Sequence, residues 1–482
     1  MEMNVDVVVV GGGPVGLFVA SELALRKVSV AVLERRLERV SQSRALTVHG
    51  RTLELFALRG IAERFLSRGV KVPTGHFAVL NTRLDFSVFE TEFPFTLFLP
   101  QAVTEELLEE RALELGVRLF RGHVVETVAE TGEGVEVAGE GSDGRFRVTA
   151  DYVVGADGAR SVVRNQAGIV FEGHPNRASM MLADVVLGAP PDAPVVSTHT
   201  EAGCLMLAPL GDGVHHRIVA VDPDRTGVPV QEPVTLEEIT AATMKILGRN
   251  VEPHDPIWLS RFGTETRLAE TYRKGRILLC GDAAHVHTPA GGQGMNVGLQ
   301  DAMNLGWKLA RVARKEASDD LLNTYEAERH PVGQTLFRNT LAQTSLIANF
   351  APGNLALRET LDAILQLPPA NRLLAEELSG FGIRYEAPLL LPHGWRHDPG
   401  HSGRRALDRP VRMDDGRTVG LHEMLTRGDW LLVRTTSPNP PIVSVPGGFV
   451  SATIVEGEEL VPGEKAILVR PDGYVGPVFP AG

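Results

Sequence analysis

The hydrophobic pattern of the chain contains three short apolar runs, each followed by a turn that contains glycine. The runs occupy residues 5–10, 152–154 and 277–280, and the first holds five valines interrupted only by Asp6. Apolar runs of this length predict buried strands, and the β-branched first run is typical of a parallel sheet. Since open α/β sheets bind their ligands at the carboxyl ends of the strands, we expect a site at these turns.

Between and after these runs, the apolar spacing changes to that of helices and of shorter strands. It predicts helices at residues 14–26, 49–68 (one or two helices), 104–115, 236–247, 295–309 and 321–346, with further helices up to about 382. Shorter strands are predicted at residues 28–33, 84–89, 117–138, 144–149, 178–187, 204–208 and 214–221. After residue 385 the chain becomes rich in glycine and proline, with apolar strands predicted at 430–433, 442–445 and 466–469.

These patterns predict an α/β protein of three parts, since 482 residues exceed a single ordinary core. The first part is a discontinuous Rossmann-like domain of residues 1–76, 100–172 and 268–384. The second is a β-rich domain of residues 77–99 and 173–267, and the third is a small domain of residues 385–482.

The start of the chain has the spacing of a dinucleotide-binding unit. Gly11, Gly13 and Gly16 would allow a tight turn, the approach of a pyrophosphate and close helix–strand contact. Pro14 falls in the first turn of the next helix, where proline is favoured. Glu34 ends the second strand, where an acid accepts hydrogen bonds from the ribose hydroxyls of an adenosine.

The two later turns repeat this arrangement. Gly155-Ala-Asp157-Gly158 and Gly281-Asp282 each place a carboxylate beside a glycine at a strand end. The loop at residues 289–294 is too rich in glycine to serve packing alone, and the positive end of the next helix faces it. We interpret its ligand as flat and polar, the ring system of a flavin.

Arginines follow the acid that ends the second strand. Arg35 and Arg36 come at once, and Arg44 comes after a polar connection. Such a run is usually a solvated surface, although Arg44 could instead reach a phosphate. The sequence leaves both interpretations open.

The composition limits the binding partners and the redox groups that the chain can use. The hydrophobic and charged fractions, 43% and 22%, are ordinary for a soluble protein, and a net charge of −12 argues against nucleic acid or an anionic membrane as partner. The two cysteines, Cys204 and Cys280, exclude a disulfide scaffold, a Cys-x-x-Cys pair and a cysteine-rich metal site. Redox chemistry would therefore need a bound cofactor.

With neither a signal-peptide pattern nor a run of about 20 apolar residues, a cytoplasmic protein is expected.

Aromatic residues concentrate in one segment. Six of the 18 phenylalanines lie within residues 77–98, which predicts the hydrophobic face of a second sheet, an aromatic-lined pocket, or both. The candidate substrate-pocket residues are Phe77, Phe86, Phe95, Leu182, Met206 and Arg217.

Two histidine pairs receive structural interpretations. His215 and His216 are neighbours on a predicted strand and therefore face opposite sides of it. His285 and His287 lie in the third turn without a third ligand nearby, so we do not expect a metal site there.

The ordered set of turns resembles the single-component FAD-dependent aromatic hydroxylases, whose fold is similar to that of p-hydroxybenzoate hydroxylase. The resemblance covers about residues 4–380. Within that family the chain is most similar to the actinobacterial hydroxylases of phenols, polyketide aromatics and rifamycin-type antibiotics. These carry a C-terminal thioredoxin-like domain without redox cysteines, which residues 403–432 and 468–473 resemble. After Gly476 the chain departs from the family, which has an aromatic residue and a final helix there.

The resemblance implies a role for each motif residue. The pyrophosphate would lie against Gly11, Gly13, Pro14 and Gly16, and the adenosine ribose near Glu34 and Arg35. Phosphate, ribityl and NAD(P)H-groove contacts would come from Arg44, Gln101, Asp157, Gly281 and Asp282. The oxygen-reacting edge of the flavin would be bordered by Pro289 and Gly291, which with Arg44 are the candidate catalytic residues. The pyrimidine end would face Gly292, Gly294, Met295 and Asn296.

The reaction implied is reduction of FAD by NADPH or NADH, addition of O2 to give a flavin C4a-hydroperoxide, and hydroxylation of a phenolic or polycyclic ring. Without a second Gly-x-Gly-x-x-Gly, NAD(P)H would bind transiently. Alternatives are a Baeyer–Villiger or epoxidising monooxygenase on the same scaffold, and a non-catalytic FAD- or ligand-binding protein. The state expected is a monomer or homodimer.

Overall fold

The computed structural model describes residues 1–40, 42, 45–193, 195–386, 396–413, 416–434, 449–454 and 464–480, with the backbone alone at 449–454, 464–465 and 479–480. The strands in this part of the chain are, in order, Glu2–Val10 (β1), Val30–Glu34 (β2), Thr47–Val48 (β3), Val70–Val72 (β4), Thr74–Gly75 (β5), Leu84–Asp85 (β6), Thr96–Phe98 (β7), Arg118–Arg121 (β8), Val124–Glu130 (β9), Val135–Gly141 (β10), Gly144–Gly155 (β11), Phe171–His174 (β12), Ser179–Leu187 (β13), Val196–Thr200 (β14), Gly203–Pro209 (β15), His215–Val221 (β16), Pro253–Gly263 (β17), Thr266–Ala269 (β18), Arg273–Lys274 (β19), Ile277–Leu279 (β20), His285–Val286 (β21), Pro410–Arg412 (β22), Thr418–Gly420 (β23), Trp430–Arg434 (β24), Phe449–Ile454 (β25), Glu464–Val469 (β26) and Val475–Pro480 (β27).

The α-helices in the same residues are Pro14–Leu25 (α1), Gly50–Ala57 (α2), Ala62–Leu66 (α3), Gln101–Glu114 (α4), Val162–Gln166 (α5), Leu236–Leu247 (α6), Gly294–Ala313 (α7), Asn323–Ile347 (α8), Pro352–Leu365 (α9), Pro368–Ser379 (α10) and Leu421–Met424 (α11). Short 3-10 turns lie at Pro223–Arg225, Gly281–Ala283, Ala290–Gly292 and Asp319–Leu322. Within the described ranges, no helix has the length and apolar character needed to cross a membrane. The strand predicted at 442–445 falls outside the described residues.

The main sheet brings the three glycine turns to one edge. Its strands run in the order β19-β20-β11-β1-β2-β8, with β10 and β9 added beyond β11. Strands β20, β11, β1, β2 and β8 are parallel neighbours, and the register pairs Val10 with Gly155 and Gly155 with Leu279. The carboxyl ends of β1, β11 and β20 are therefore adjacent, as expected for a ligand-binding crevice.

Helices α1 and α7 cross closely above this edge. An added Cβ at Gly306 would lie 2.4 Å from Cβ of Glu22, and one at Gly298 would lie 2.7 Å from Cγ2 of Val15. These small residues let the helix that follows the third turn pack directly on the helix that follows the first.

A second sheet has the order β14-β15-β16-β13-β17, and its neighbouring strands are antiparallel. Helix α6 covers one face, where Met181, Leu205, Ile218 and Ile239 belong to one buried cluster. The opposite face carries the alternate residues and is turned toward the glycine-rich loop, as shown below.

Residues 77–99 do not join this second sheet, which corrects the expected grouping. Their strand β7 pairs with β3 and β4, and β6 pairs with β5, so both strands are bound to the first part of the chain. The phenylalanine pattern predicted burial but carried no information on which strand would be the partner.

The last part of the chain forms a sheet of order β23-β22-β25-β24-β26-β27 that docks on α7 and α8. Arg51 donates to the carbonyl of Asp472 at 2.9 Å, and Arg59 donates to that of Pro471 at 2.8 Å. Trp307 of α7 meets Trp430 of β24 edge-to-face, with ring centroids 5.6 Å apart. The thioredoxin-like assignment of this sheet stays a prediction.

Candidate cofactor and substrate site

The first turn combines close packing with one open position. An added Cβ at Gly16 would lie 2.0 Å from the carbonyl oxygen of Gly11, so only glycine lets α1 approach β1 this closely. At Gly13 an added Cβ would meet no atom within 4 Å. Gly13 therefore borders free space at the N-terminus of α1, where Pro14 is the first helical residue. Such a place suits a pyrophosphate.

The acid at the end of β2 lies beside this turn. Oε2 of Glu34 accepts the N–H of Gly12 at 2.7 Å, and Oε1 accepts the N–H of Arg36 at 2.9 Å. These bonds fix the carboxylate while leaving lone pairs for a ribose. Arg35 is exposed, in agreement with a solvated surface, whereas Arg44 lies outside the described residues.

The second turn packs against the first, and its acid has a local structural task. Oδ2 of Asp157 accepts the N–H of Val162 at 2.7 Å and that of Val163 at 3.3 Å, so the carboxylate caps α5. Its Oδ1 is buried and has no partner among the described residues. Burial raises the pKa of Asp157. The expected role of Asp157, around the pyrophosphate and the NAD(P)H groove, stays a prediction, and the sequence did not reveal its capping role.

The third turn is supported from behind by a buried ion cluster. Asp301 accepts from Nε of Arg329 at 2.7 Å, contacts Nε2 of His285 at 2.8 Å and accepts the N–H of Gly281 at 3.2 Å. Burial opposes ionisation of Asp301, but Arg329 and His285 outweigh it and lower its pKa. Asp282 is exposed on the other side of the turn. Asp301 therefore holds the buried side of the third turn, and the exposed carboxylate of Asp282 lies on its other side.

The glycine-rich loop is held by side chains that sequence reasoning missed or assigned differently. Asn296 donates through Nδ2 to the carbonyls of Gly292 and Thr47, both at 2.9 Å, and accepts the N–H of His49 at 2.8 Å. Nε2 of His49 lies 2.9 Å from the carbonyl oxygen of Gly291. Burial lowers the pKa of His49 to about 4, so the ring is neutral. The amide side chain of Asn296 therefore shapes the loop, and its backbone N–H remains the group available to a ligand.

The remaining predicted cofactor contacts lie around the same loop. Pro289 is exposed, Gly294 begins α7, and Met295 is buried. Gln101, at the start of α4, accepts the N–H of Ala45 at 3.2 Å and so fixes the chain next to Arg44. That contact is a structural role for Gln101 beyond the one expected.

The substrate face is the side of the second sheet that α6 leaves uncovered. Met180, Cys204 and Val221 on this face form one buried cluster with Ala290 of the glycine-rich loop. Met206 packs against this cluster, and Leu182 shares its face because it pairs across the ladder with Val219, as Met206 does. The sheet face and the cofactor loop are therefore in direct contact.

Arg217 also lies on the substrate face but is already paired. Its Nε and a terminal nitrogen donate to the two oxygens of Asp184, each at 2.8 Å, and it lies over the ring of Trp258. This buried pair leaves no net charge for an anionic substrate.

The three phenylalanine candidates occupy two places in the structure. Phe77 packs against the cluster at Ala290 and also against the cluster around Leu378 that contains Phe86. Phe95 instead contacts Phe93 and Lys71 in the first part of the chain. Phe77 therefore joins the two clusters, Phe95 lies apart from them, and the aromatic pocket stays a prediction.

These observations fit a dinucleotide cofactor extended across the sheet edge, from the space at Gly13 to the loop at Gly291. A family model described as FAD binding domain matches residues 4–340. The chain belongs to this family. Its cofactor is FAD.

Named relatives cover nearly the whole chain. An uncharacterized aromatic compound monooxygenase of Bacillus subtilis, YhjG, is 45% identical, over 98% of this chain and 94% of that protein. A 12-dehydrotetracycline 5-monooxygenase/anhydrotetracycline 6-monooxygenase of Streptomyces rimosus is 40% identical, over 98% and 95%. The solved structure of the anhydrotetracycline hydroxylase OxyS of Streptomyces rimosus is 39% identical and superposes with a TM-score of 0.87, over 99% of this chain and 96% of that one. The expectation of an FAD-dependent aromatic monooxygenase is confirmed.

Proposed function

We propose that this protein uses NAD(P)H and O2 to hydroxylate a phenolic, polycyclic aromatic compound. One observation carries the proposal. The loop expected to face the flavin ring, at Ala290, is part of the same buried cluster as the uncovered face of the second sheet. A substrate bound on that face would lie between the sheet and the oxygen-reacting edge of the cofactor, which is the arrangement that oxygen transfer requires.

In this proposal, the residues of the chain bind the cofactor and orient the substrate against it. Gly13 and the N-terminus of α1 would bind the pyrophosphate, Glu34 the adenosine ribose, and Asp282 the ribityl chain. FAD, when bound, supplies the reduction of O2 and the transfer of one oxygen atom. Pro289 and Gly291 would border the reacting edge, and the apolar sheet face would exclude water from it.

The substrate face favours a large compound with extensive apolar surface. Leu182, Met206 and Val219 offer apolar surface, and Arg217 is neutralised by Asp184. A small carboxylic acid would find no unpaired cation among these residues. The relatives named for tetracycline intermediates support a polycyclic phenol as the substrate class.

The decisive experiment measures NADPH oxidation and H2O2 release by the purified yellow protein. The ligands are phenol, alizarin, anhydrotetracycline and rifampicin. We expect one polycyclic compound to accelerate NADPH oxidation at least ~10-fold, with little H2O2 and a product heavier by one oxygen atom. A ring-expanded product would indicate a Baeyer–Villiger enzyme, and indifference to NADPH would indicate a binding protein. Either result contradicts the proposal.

A further inference from the structure

A strained turn lies between the cofactor loop and the substrate sheet. Ala78 and Val79 both have left-handed backbone, with φ of 50° and 55°, which is unfavourable for a β-branched residue such as Val79. Such strain persists only where the surroundings impose it, and it is concentrated at ligand-binding positions. The turn belongs to the buried cluster that contains Ala290 of the cofactor loop and Met180 of the sheet.

Two buried side chains hold this turn in place. Arg358 of α9 donates to the carbonyl of Ala78 and to that of Val79, each at 2.8 Å. The side-chain oxygen of Gln343 in α8 accepts the N–H of Ala78 at 3.0 Å. Arg358 also donates to the carbonyl of Leu346 in α8 at 3.0 Å, so it ties the turn to the end of that helix.

The turn fixes the ring of His76. The N–H of Val79 donates to Nδ1 of His76 at 3.2 Å. Nδ1 must therefore carry the lone pair, and the neutral ring carries its proton on Nε2. Among the described residues, the bond from Val79 is the hydrogen bond recorded for this ring, and it leaves Nε2–H available to a ligand.

His76 lies between cofactor loop and substrate sheet. Its preceding residue, Gly75, and Gly291 each approach a methyl group of Leu378, with added Cβ atoms 2.7 Å from Cδ2 and Cδ1. Burial, followed by the charge of Arg83 and by His49, lowers the pKa of His76 to about 4, although the ring remains partly accessible. The partly accessible ring of His76 is thus close to His49, whose own ring contacts Gly291 of the cofactor loop.

Arg83 connects this place to the sheet. It donates to the hydroxyl of Ser197 at 2.8 Å, and Ser197 pairs directly with Met206 across the ladder. Of the two neighbours of His76, His49 thus contacts the cofactor loop and Arg83 contacts the substrate sheet. A substrate would lie between them.

We propose that His76 donates its Nε2–H to a phenolate or keto oxygen of the aromatic substrate and thereby orients the ring toward the cofactor. The inference rests on the proposed function, since it concerns the same substrate. By stabilising the phenolate over the neutral phenol, whose proton is released to solvent, the donor raises the share of the electron-rich form that reacts with electrophilic oxygen. The positive charge of Arg83 stabilises the same negatively charged oxygen. Because Nδ1 is occupied by Val79, His76 acts as a donor and not as a base.

The test compares His76→Phe, which removes the donor, with His76→Gln, which keeps a donor near the position of Nε2. His123→Phe is the matched control, because His123 packs between Phe120 and Phe146 in the first domain. The probes are alizarin and anhydrotetracycline, whose visible absorption reports ionisation of the phenol. Each probe is titrated into oxidised holoenzyme of equal FAD content, and its apparent pKa and Kd are measured.

We expect wild type, His123→Phe and His76→Gln to lower the phenol pKa of a bound probe. His76→Phe should lose that shift, bind at least ~10-fold more weakly and release more H2O2 per NADPH. If His76→Phe ionises and binds the probe as wild type does, this inference alone is wrong. If no compound of the panel stimulates the wild type, the proposed function fails and this inference with it.

Discussion

Replacing Arg470 by methionine should destabilise the whole protein, because Arg470 is the central cation of a buried ion cluster. Its terminal nitrogens donate to both oxygens of Glu328 at 2.8 Å, and it also donates to both oxygens of Asp472. Glu328 accepts in addition from Lys308 at 2.7 Å. Burial opposes ionisation of Glu328, but Arg470 and Lys308 outweigh it and lower its pKa to about 2.

The magnitude follows from burial. The side chains of Arg470 and Glu328 are 2% and 0% exposed, so methionine would leave two carboxylates buried with Lys308 as their remaining cation. Removing one partner of such a buried pair costs about 3–5 kcal/mol. Arg64 and Glu114 form a similar two-pronged pair at the surface, 38% and 43% exposed, and Arg64→Met should cost less than about 1 kcal/mol.

The assay is urea unfolding of the holoenzyme, followed by tryptophan fluorescence and by release of FAD. Trp307 and Trp430 lie beside the cluster and report its opening. We expect the Arg470→Met midpoint to fall well below that of Arg64→Met, with both signals changing together. Equal midpoints for the two variants would refute the reasoning, because they would mean that burial does not determine the energy of these pairs.

Three further predictions concern the cofactor site. Gly13→Val should abolish FAD retention, measured by the flavin absorbance of the purified protein. Gly132→Val is the control, because Gly132 is equally free of neighbouring atoms, and it should retain FAD. Equal flavin content in the two variants would contradict the assignment of Gly13 to the pyrophosphate. Asp301→Asn should weaken FAD binding at least ~10-fold and lower the unfolding midpoint, because Arg329 loses its buried carboxylate. If calorimetry shows FAD binding unchanged from wild type, Asp301 does not support the third turn. The folded pKa of His49, about 4, lies below its unfolded value of 6.5, so the unfolded state binds the proton first and stability falls as pH drops from about 6.5 to 4. His49→Gln should reduce that slope by up to about 1.4 kcal/mol per pH unit, measured by urea unfolding. An unchanged slope would show that folding does not lower the pKa of His49.

Local sequence patterns predicted the elements that carry the glycine turns. The helix predicted at residues 236–247 has the bounds of α6, and the apolar run at 5–10 lies within β1. These predictions succeed because periodicity and glycine spacing are properties of neighbouring residues. The position of the three turns at one edge follows from parallel register and was likewise predictable.

The supports of the site could not be predicted in this way. Asp301 and Arg329 lie 28 positions apart and read as ordinary polar residues of two helices, yet they form the buried pair behind the third turn. His49 reaches a loop that lies 242 positions further along the chain. The contact of Phe95 with Lys71 was not predicted for the same reason. Long-range pairing is decided by tertiary packing, which leaves no periodic signal in either partner.

The contacts of the last segment have a consequence for the order of synthesis. The core that begins with Val5 also contains Val478, and the carbonyls of Leu425 and Pro471 receive the guanidinium of Arg59. On the ribosome, the earlier part of the chain therefore emerges with Arg59 lacking the carbonyls of Leu425 and Pro471 and with Glu328 lacking Arg470. Until residues 425–471 are synthesised, water replaces these partners. A protein cut short before residue 470 would leave Glu328 without Arg470 and should be digested faster by proteases.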